Sequence, residues 1–163
     1  MKKTDAIKLF KLIIEDADVR CAFKKLMVDI LVLRKNPFHP LVFISGNPEF
    51  GKNVYIGLFS EIYSKGAQVK IGDNCDIASF VAINCADSHK KGLGLLTKIE
   101  KKNITLENNV FVGSHSVIKG GAYIGHHTVI GAGTIVEGIT IPPYSLVIGN
   151  PMTVKKEYYL NKI

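Results

Sequence analysis

The sequence predicts an all-β fold, a parallel β-helix, because its aliphatic residues recur every six positions over a long stretch. Residues 104–136 read ITLENNVFVGSHSVIKGGAYIGHHTVIGAGTIV. The repeated aliphatic residues are Leu106, Val112, Ile118, Ile124, Ile130 and Val136. A period of six fits neither the 3.6-residue period of a helix nor the two-residue period of a single strand. Hexapeptide self-similarity is typical of a chain that coils into stacked parallel strands.

Small residues accompany this repeat at a fixed offset. A small or β-branched residue follows each aliphatic residue by four positions, as at Ser116, Ala122 and Thr128. We expect the aliphatic side chain to point into a narrow core, and the small residue to fill the space beside it. Glycine, asparagine and aspartate suit the tight corners, where a positive φ is often required. One coil of three hexapeptides spans eighteen residues, so residues 114 and 132 are expected to stack one coil apart.

Length and composition indicate one folded domain with a small appendage. The chain has 163 residues, of which 47% are hydrophobic and 21% charged, and this excludes a disordered chain. Its apolar runs fall short of the roughly 20 residues that a transmembrane helix needs. We interpret residues 1–20 as folded protein rather than a signal peptide. The three cysteines are an odd number without a CxxC motif, which favours free thiols in the cytoplasm.

The net charge of +7 allows two interpretations. Most of the lysines are expected to be solvated, but an excess of positive charge also attracts anionic ligands such as a phosphorylated cofactor or a nucleotide. The basic residues form no stripe interleaved with aromatic residues, so we expect no nucleic-acid partner.

Residues 1–40 are predicted to form an N-terminal helical segment. Apolar residues at helical spacing over 4–34 form two successive faces, and Asp16 or Asp18 is expected to cap the second helix. The Asn36-Pro37 and His39-Pro40 pairs end this segment, because a residue before proline avoids the α region. We expect the segment at least to cap the open end of the β-helix.

Residues 41–163 are predicted to form the β-helix domain, which opens with a short strand over 41–45. The repeat breaks at HKKGLGLLTKIEKKN, residues 89–103, which has no period and reads as an extended loop from one coil. The period then returns and lasts to about Ile141, and Pro142-Pro143 closes the last coil. The tail TVKKEYYLNKI is expected to form a short C-terminal helix.

The segment VFVGSHSVIKGGAYIGHHTVIGAGTIV, followed by IPPYSLVIGNP, resembles the left-handed β-helix acyltransferases, the hexapeptide-repeat transferases that use acetyl-coenzyme A. The likeness covers roughly residues 41–156 and is to the galactoside, maltose and xenobiotic acetyltransferase branch, including O-antigen acetyltransferases. It implies a left-handed coil, whereas general crossover rules favour the right-handed one. It also implies acetyl-coenzyme A as co-substrate, and a homotrimer with active sites between neighbouring prisms.

The resemblance also carries over individual site residues. The family's catalytic histidine stands at the start of the loop after the early coils, which is His89 in CADSH. Coenzyme contacts fall on Gly113 and Ser114 in VGSHS, on Ala132 in IGAGT, and on Lys156 after the GNP turn. Whether His89 faces Ser114 and Ala132 of its own chain or of a neighbour stays open.

The chain departs from the family pattern at two places. Gly138 stands where a lysine often follows the IGAGS-type segment, which leaves the cofactor assignment intact. Leu58 and Ile56 replace the asparagine and tyrosine that hold galactoside-type acceptors. The acceptor is therefore expected to be another sugar, one linked to a nucleotide or destined for a surface glycan, and NCADSHKK is similar to small transferases that act on amino sugars in surface-glycan pathways.

A histidine suits the chemistry of acyl transfer, since its ordinary pKa near ~6.5 lets it accept a proton at neutral pH. We expect His89 to be the general base for an amino or hydroxyl acceptor. Asp87 and Asn84 are candidates to orient His89 or to bind the acceptor, or are corner residues of a coil. Cys85 lies four residues before His89, and a thiol nucleophile is the less favoured alternative to a buried small residue.

Two other classes of function share a β-helix. A γ-carbonic-anhydrase-like metalloenzyme needs three histidine ligands at a subunit interface. Here His126 and His127 are adjacent, and neighbours on a strand point to opposite faces, so we expect no metal site. A non-catalytic β-helix scaffold explains the repeat but not the histidine-bearing loop.

Overall fold

The computed structural model describes residues 3–30, 38 and 41–162. The chain divides into two compact units, residues 1–40 and 41–163. The first contains helix α1 (Lys3–Glu15) and helix α2 (Ala17–Ile30). Asp16 caps α2, because its Oδ1 accepts hydrogen bonds from the main-chain N–H groups of Asp18 at 2.8 Å and Val19 at 3.0 Å. Neither helix is long and apolar enough to cross a membrane, and no other described helix is. The expected helix over 31–34, and the Asn36-Pro37 and His39-Pro40 pairs, lie outside the described residues.

The second unit is a three-faced parallel solenoid, which confirms the predicted β-helix. Face A consists of β1 (Phe43–Ser45), β4 (Glu61–Tyr63), β7 (Ala82–Asn84), β12 (Val117–Lys119) and β15 (Ile135–Val136). Face B consists of β2 (Glu49–Phe50), β5 (Val69–Ile71), β10 (Ile104–Leu106), β13 (Tyr123–Ile124) and β16 (Thr140–Ile141). Face C consists of β3 (Tyr55–Ile56), β6 (Asp76–Ile77), β11 (Phe111–Val112), β14 (Val129–Ile130), β17 (Leu146–Ile148) and β18 (Thr153–Lys155).

Five coils follow from this order, because the chain visits faces A, B and C in turn and each face holds five parallel strands. Coil 3 contains β7, β10 and β11, and coil 5 contains β15, β16 and β17. We call the edges AB, BC and CA after the two faces that the chain joins there.

The core is a set of aliphatic columns inside the prism. Val112 pairs with Ile77 of the coil before and with Ile130 of the coil after, and Ile130 pairs in turn with Val147. All four are fully buried. The eighteen residues between Val112 and Ile130 equal three hexapeptides, so the sequence period sets the register directly.

Small polar residues inside the coils are buried and hydrogen-bonded. Thr134 Oγ1 donates to the carbonyl oxygen of Gly131 at 2.6 Å and accepts from the N–H of Gly149 at 3.2 Å. Ser116 Oγ donates to the same carbonyl at 3.0 Å and accepts from the N–H of Thr134 at 3.3 Å. No buried side-chain N or O among the described residues lacks a partner. These hydroxyls therefore link neighbouring coils at little desolvation cost.

The long insertion leaves coil 3 at the AB edge, between β7 and β10. It contains β8 (Ala86–Asp87), α3 (His89–Gly92) and β9 (Glu100–Lys101), and β8 pairs antiparallel with β9. Lys90 and Glu100 form an ion pair of 2.9 Å across the loop. Helix α3 begins at His89, directly after β8, so the β8–β9 pairing fixes the position of the His89 main chain.

The C-terminal segment corrects the expected short helix. Thr153–Lys155 is strand β18, which pairs antiparallel with β17, and residues 156–162 form turns. The free main-chain groups on the outer side of β17 offer hydrogen bonds, and the β-branched residues Thr153 and Val154 suit a strand. A ladder of tertiary hydrogen bonds thus outweighs the weak helical tendency of the tail.

Close stacking of the coils predicts that Gly72 tolerates no side chain. A Cβ there would lie 2.7 Å from the carbonyl carbon of Glu107 and 2.8 Å from the nitrogen of Asn108, both in the main chain of the next coil. We expect Gly72→Ala to lower the free energy of unfolding by about 1–3 kcal/mol. Denaturant unfolding checks this, with Gly92→Ala as control, since its Cβ would meet nothing within 4 Å. Equal destabilisation by both variants would contradict the packing argument.

Candidate active site

His89 lies at the AB edge of the prism, in the loop that leaves coil 3. It is the first residue of α3, and its side chain is 58% exposed. The loop carries the histidine away from the aliphatic core, and the stacked coils hold the two ends of the loop in place. His89 is thus placed to meet a ligand outside the prism.

Asp87 holds the ring of His89. The His89 Nδ1 and Asp87 Oδ1 atoms lie 2.5 Å apart, and the His89 main-chain N–H donates to the same oxygen at 3.0 Å. The hydrogen bond from the His89 side chain lowers the pKa of the Asp87 carboxyl, and the bond from the His89 backbone adds to this. An ionised carboxylate only accepts hydrogen bonds. Nδ1 must therefore carry a proton, which leaves Nε2 as the ring nitrogen with a free lone pair when the ring is neutral.

Asn84 has a structural role at the same edge. Its Oδ1 accepts the N–H of Ala86 at 2.9 Å, which turns the chain from β7 into β8. The residue pairs in register with Tyr63 on one side and Lys119 on the other. Asn84 thus shapes the base of the loop that carries His89.

Lys119 is a polar neighbour of this loop that the sequence reasoning missed. Its Nζ lies 2.7 Å from Glu137 Oε2, and its positive charge contributes to lowering the pKa of Asp87. The eighteen-residue period places Lys119 and Glu137 one coil apart. The Lys119–Glu137 pair could therefore have been predicted from the repeat register. The proximity of Lys119 to Asp87 could not, because it depends on the conformation of the loop.

The predicted coenzyme contacts lie together at the CA edge. The N–H of Gly133, next to Ala132, donates to the carbonyl of Ser114 at 2.9 Å. A Cβ on Gly113 would lie 2.5 Å from the nitrogen of Ala132. Gly113 and Ser114 thus stack directly below Ala132, as the eighteen-residue period predicts.

Lys156 lies at a different edge from these contacts. Strand β18 runs antiparallel to β17, with Lys155 opposite Leu146, the first residue of β17. Lys156 therefore follows at the BC edge, across the width of face C from Ala132. The structure does not bring Lys156 together with Ser114 and Ala132 within one chain.

His89 and the coenzyme contacts are also separated within one chain. Ser114 and Ala132 lie where the chain enters face A, and His89 lies beyond the point where it leaves face A. The two groups occupy opposite edges of that face. Within one chain, the width of face A therefore separates the two groups.

Cys85 is a core residue of coil 3. It is 1% exposed, and burial raises the pKa of its thiol. A buried thiol held in its protonated form is a poor nucleophile. This favours the interpretation of Cys85 as a small buried residue.

The histidine pair at the BC edge differs from the expectation. The Nδ1 atoms of His126 and His127 lie 2.9 Å apart, so these neighbours do not point to opposite faces. His127 has a φ of +55° and lies in a corner rather than in a strand, which turns its ring toward His126. No group of three or more metal-ligating side chains occurs among the described residues. A recess of about 720 Å³ next to this pair is lined by face B and the BC edge and includes none of the predicted site residues.

Comparison with known proteins identifies the repeat. Residues 103–138 match the family model of the bacterial transferase hexapeptide (six repeats). A galactoside acetyltransferase solved in complex with coenzyme A is 35% identical, with a TM-score of 0.64, over 73% of this chain and 60% of that one. The polySia-specific acetyltransferase NeuO is 27% identical, with a TM-score of 0.57, over 71% and 60%. This chain thus spans about three fifths of the length of both.

A more distant structure shares the fold alone. It is AntD, an N-acyltransferase from Bacillus cereus solved with dTDP and 3-hydroxybutyryl-CoA, which is 18% identical with a TM-score of 0.62 over 75% of this chain and 71% of that one. No curated protein matches the sequence significantly. The chain is a hexapeptide-repeat protein with the left-handed parallel β-helix fold of these acetyltransferases, which confirms the predicted fold and family likeness.

The hydrogen bond between Asp87 and His89 predicts a fixed tautomer. In the wild type, neutral His89 should carry its proton on Nδ1, and Asp87→Asn should lose this preference because an amide can accept or donate. Two-bond ¹H–¹⁵N correlation spectra of the imidazole nitrogens measure this. Asp76→Asn, an exposed change on face C, should leave the His89 signals as they are. An Nε2–H tautomer in the wild type would contradict the geometry.

Proposed function

We propose that this protein is an acetyl-coenzyme A-dependent acyltransferase with His89 as its general base. The acceptor is the amino or hydroxyl group of a sugar, with a nucleotide-linked amino sugar for surface-glycan synthesis as the favoured substrate. The observation that carries the proposal is the hydrogen-bonded Asp87–His89 pair, which stands outside the prism on an inserted loop. The likeness to a galactoside acetyltransferase solved with coenzyme A supports the choice of co-substrate.

The proposed chemistry at His89 is proton transfer. Nε2 takes the proton from the acceptor as its oxygen or nitrogen attacks the carbonyl carbon, and the protonated ring then supplies a proton to the departing thiolate. Asp87 keeps Nε2 directed outward and stabilises the charged ring. Main-chain N–H groups in the cleft stabilise the negative charge that develops on the carbonyl oxygen.

The CA edge fits an extended coenzyme. Coenzyme A supplies the acyl group as a thioester, in which a good leaving group replaces the alcohol of an ester. Gly113, Ser114, Ala132 and Gly133 carry no large side chains, and a Cβ on Gly133 would meet nothing within 4 Å. The edge therefore presents a low surface at Ala132 and Gly133, which are exposed, whereas Gly113 is buried beneath Ala132. We propose that the coenzyme phosphates reach Lys156 across the end of face C, since Lys156 is exposed at the BC edge rather than at the CA edge.

We propose a homotrimer in which three prisms stand side by side about a threefold axis parallel to the long axis of each prism. The AB edge of one copy then faces the CA edge of the next, which brings His89 to Ser114 and Ala132. This arrangement resolves the separation of these residues within one chain, and cyclic closure repeats the same contact three times. The free cysteines Cys21, Cys75 and Cys85 support a cytoplasmic location.

The acceptor is proposed to differ from a galactoside. Ile56 is 3% exposed, so its side chain belongs to the core and contacts no ligand. Leu58 offers no hydrogen bond to a sugar hydroxyl. The AntD structure holds dTDP, which makes a nucleotide-linked sugar a reasonable acceptor to test here.

Replacing the base predicts a separation of binding from turnover. His89→Ala should bind acetyl-coenzyme A as tightly as the wild type, because His89 is not among the proposed coenzyme contacts. Its rate of thiol release should fall by about 10²–10⁴-fold with a hydroxyl acceptor, and less with an amine, which needs less help to lose its proton. Calorimetric titration and a thiol-release assay over free and nucleotide-linked sugars measure both quantities.

The control for that experiment is His127→Asn, which changes a histidine on another edge and should leave activity unchanged. Failure of the wild type to bind acetyl-coenzyme A would discard the cofactor assignment. Full activity of His89→Ala with every acceptor would show that His89 is not the general base.

The shared site predicts complementation between two inactive variants. Ala132→Phe places a large side chain on the CA edge at an exposed position and should block the coenzyme. Trimers that contain both His89→Ala and Ala132→Phe chains should recover about one third of the sites, since a ring with two copies of one variant and one of the other has a single junction at which both intact edges meet. Co-expression with two affinity tags, followed by activity assay of the doubly tagged trimer, measures this. If no activity is recovered, the site does not combine His89 of one chain with Ala132 of another.

A further inference from the structure

Three aromatic rings form a column on the CA edge that the proposed chemistry does not use. The rings of Phe59 and Phe80 have centroids 5.1 Å apart at 22°, and those of Phe80 and His115 have centroids 4.9 Å apart at 8°. Each ring comes from a successive coil. Main-chain bonds at the corners, such as Phe80 N–H to the Leu58 carbonyl at 3.0 Å, hold this spacing. We call this set the aromatic column.

The two phenylalanines occupy a backbone conformation that does not favour them. Their φ values are +61° and +62°, in the left-handed region that suits glycine and asparagine. At the BC edge, the corresponding corners carry asparagine in the first three coils, at Asn53, Asn74 and Asn109, and His127 and Tyr144 in the last two. Phe59 is 47% and Phe80 49% exposed, so neither serves mainly as a core residue. Strain combined with exposed apolar surface points to a binding role.

The position of the column relative to the proposed site defines which substrate it meets, and this step rests on the proposed function. His115 directly follows Ser114, and the column continues from there toward coil 1. In the proposed trimer, coil 3 lies at one height in every copy, so the reacting thioester lies near the height of His89. The coenzyme extends past Ser114 and Ala132 toward coil 5. The acceptor must approach from the other side, beside Phe80 and Phe59.

In the proposed trimer, positive charge would lie opposite the aromatic column. The loop that carries His89 also carries Lys91 and Lys98, both exposed, whereas Lys90 is paired with Glu100. In the trimer this loop belongs to the neighbouring copy. A ligand between the two walls would meet an aromatic surface on one side and cations on the other.

We propose that the aromatic column binds the base of a nucleoside diphosphate-linked sugar, with the diphosphate near the lysines of the neighbouring loop and the sugar at His89. The rings cover one another's faces within the column, so a flat base would pack against their exposed edges, and such edge-to-face contacts strengthen binding whatever the hydrogen-bonding pattern of the base. A free polyhydroxylated sugar gains less from this apolar surface. The column thus selects nucleotide-linked acceptors over free sugars.

The test removes the rings without disturbing the turn. Phe59→Asn/Phe80→Asn puts at the CA edge the residue that the chain itself uses at the BC edge, so the fold should be retained. Calorimetric titrations use uridine, thymidine, guanosine and adenosine diphosphates and, separately, acetyl-coenzyme A. We expect the diphosphate that the wild type prefers to bind at least about tenfold more weakly to the double variant, with acetyl-coenzyme A unchanged.

A matched control and the opposing outcomes complete the experiment. His127→Asn removes a ring at the equivalent turn position of the BC edge, where φ is +55°, and should change neither affinity. Unchanged diphosphate binding by the double variant, or failure of the wild type to bind any of the four diphosphates, would overturn the proposal. A column that only stabilises the fold would lower the unfolding midpoint and leave diphosphate affinity as it is. Failure of the wild type to bind acetyl-coenzyme A would instead count against the proposed function.

Discussion

Coil-to-coil stacking in register is the constraint on which the rest of the structure depends. Parallel main-chain hydrogen bonds join each strand to a strand of the next coil, which is eighteen residues away where the repeat is regular, as between Phe111 and Val129, and the aliphatic side chains inside follow the same register. One coil alone cannot bury its three inner faces, so order arises only from several coils together. The fixed register then makes the edges rigid lines along which side chains are placed at regular intervals.

The hexapeptide register explains what could be predicted from the sequence. Ile118, Ile124 and Ile130 were identified as core residues by position alone, and the stacking of Ala132 over Ser114 follows from the same count. The C-terminal tail was predicted wrongly, because pairing of β18 with the free edge of β17 is a tertiary effect that local helical tendency does not contain. The contact between the His126 and His127 rings was also not predicted. It depends on the positive φ of His127, which the corner of the coil imposes.

Loop geometry marks the limit of sequence reasoning at the candidate site. The position of His89 after the break in the repeat was visible, and Asp87 stood out as a neighbour. The bond from Nδ1 to Asp87 depends on how β8 leads into α3, which no period encodes. The aromatic column was equally invisible, because Phe59 and Phe80 belong to the early coils, where the hexapeptide pattern is weak, and their contact requires the corner conformation.

Strand β18 has a consequence for how the prism ends. Parallel strands exposed at the last coil present unpaired N–H and C=O groups, which another chain could extend as a further coil. On face C, β18 reverses direction and occupies those groups, and Lys155 and Lys156 bring charge to the new border. A β-helix that stopped at β17 would leave an unpaired strand edge on this face. The reversed strand thus acts as a terminator, which favours finite particles over fibres grown end to end.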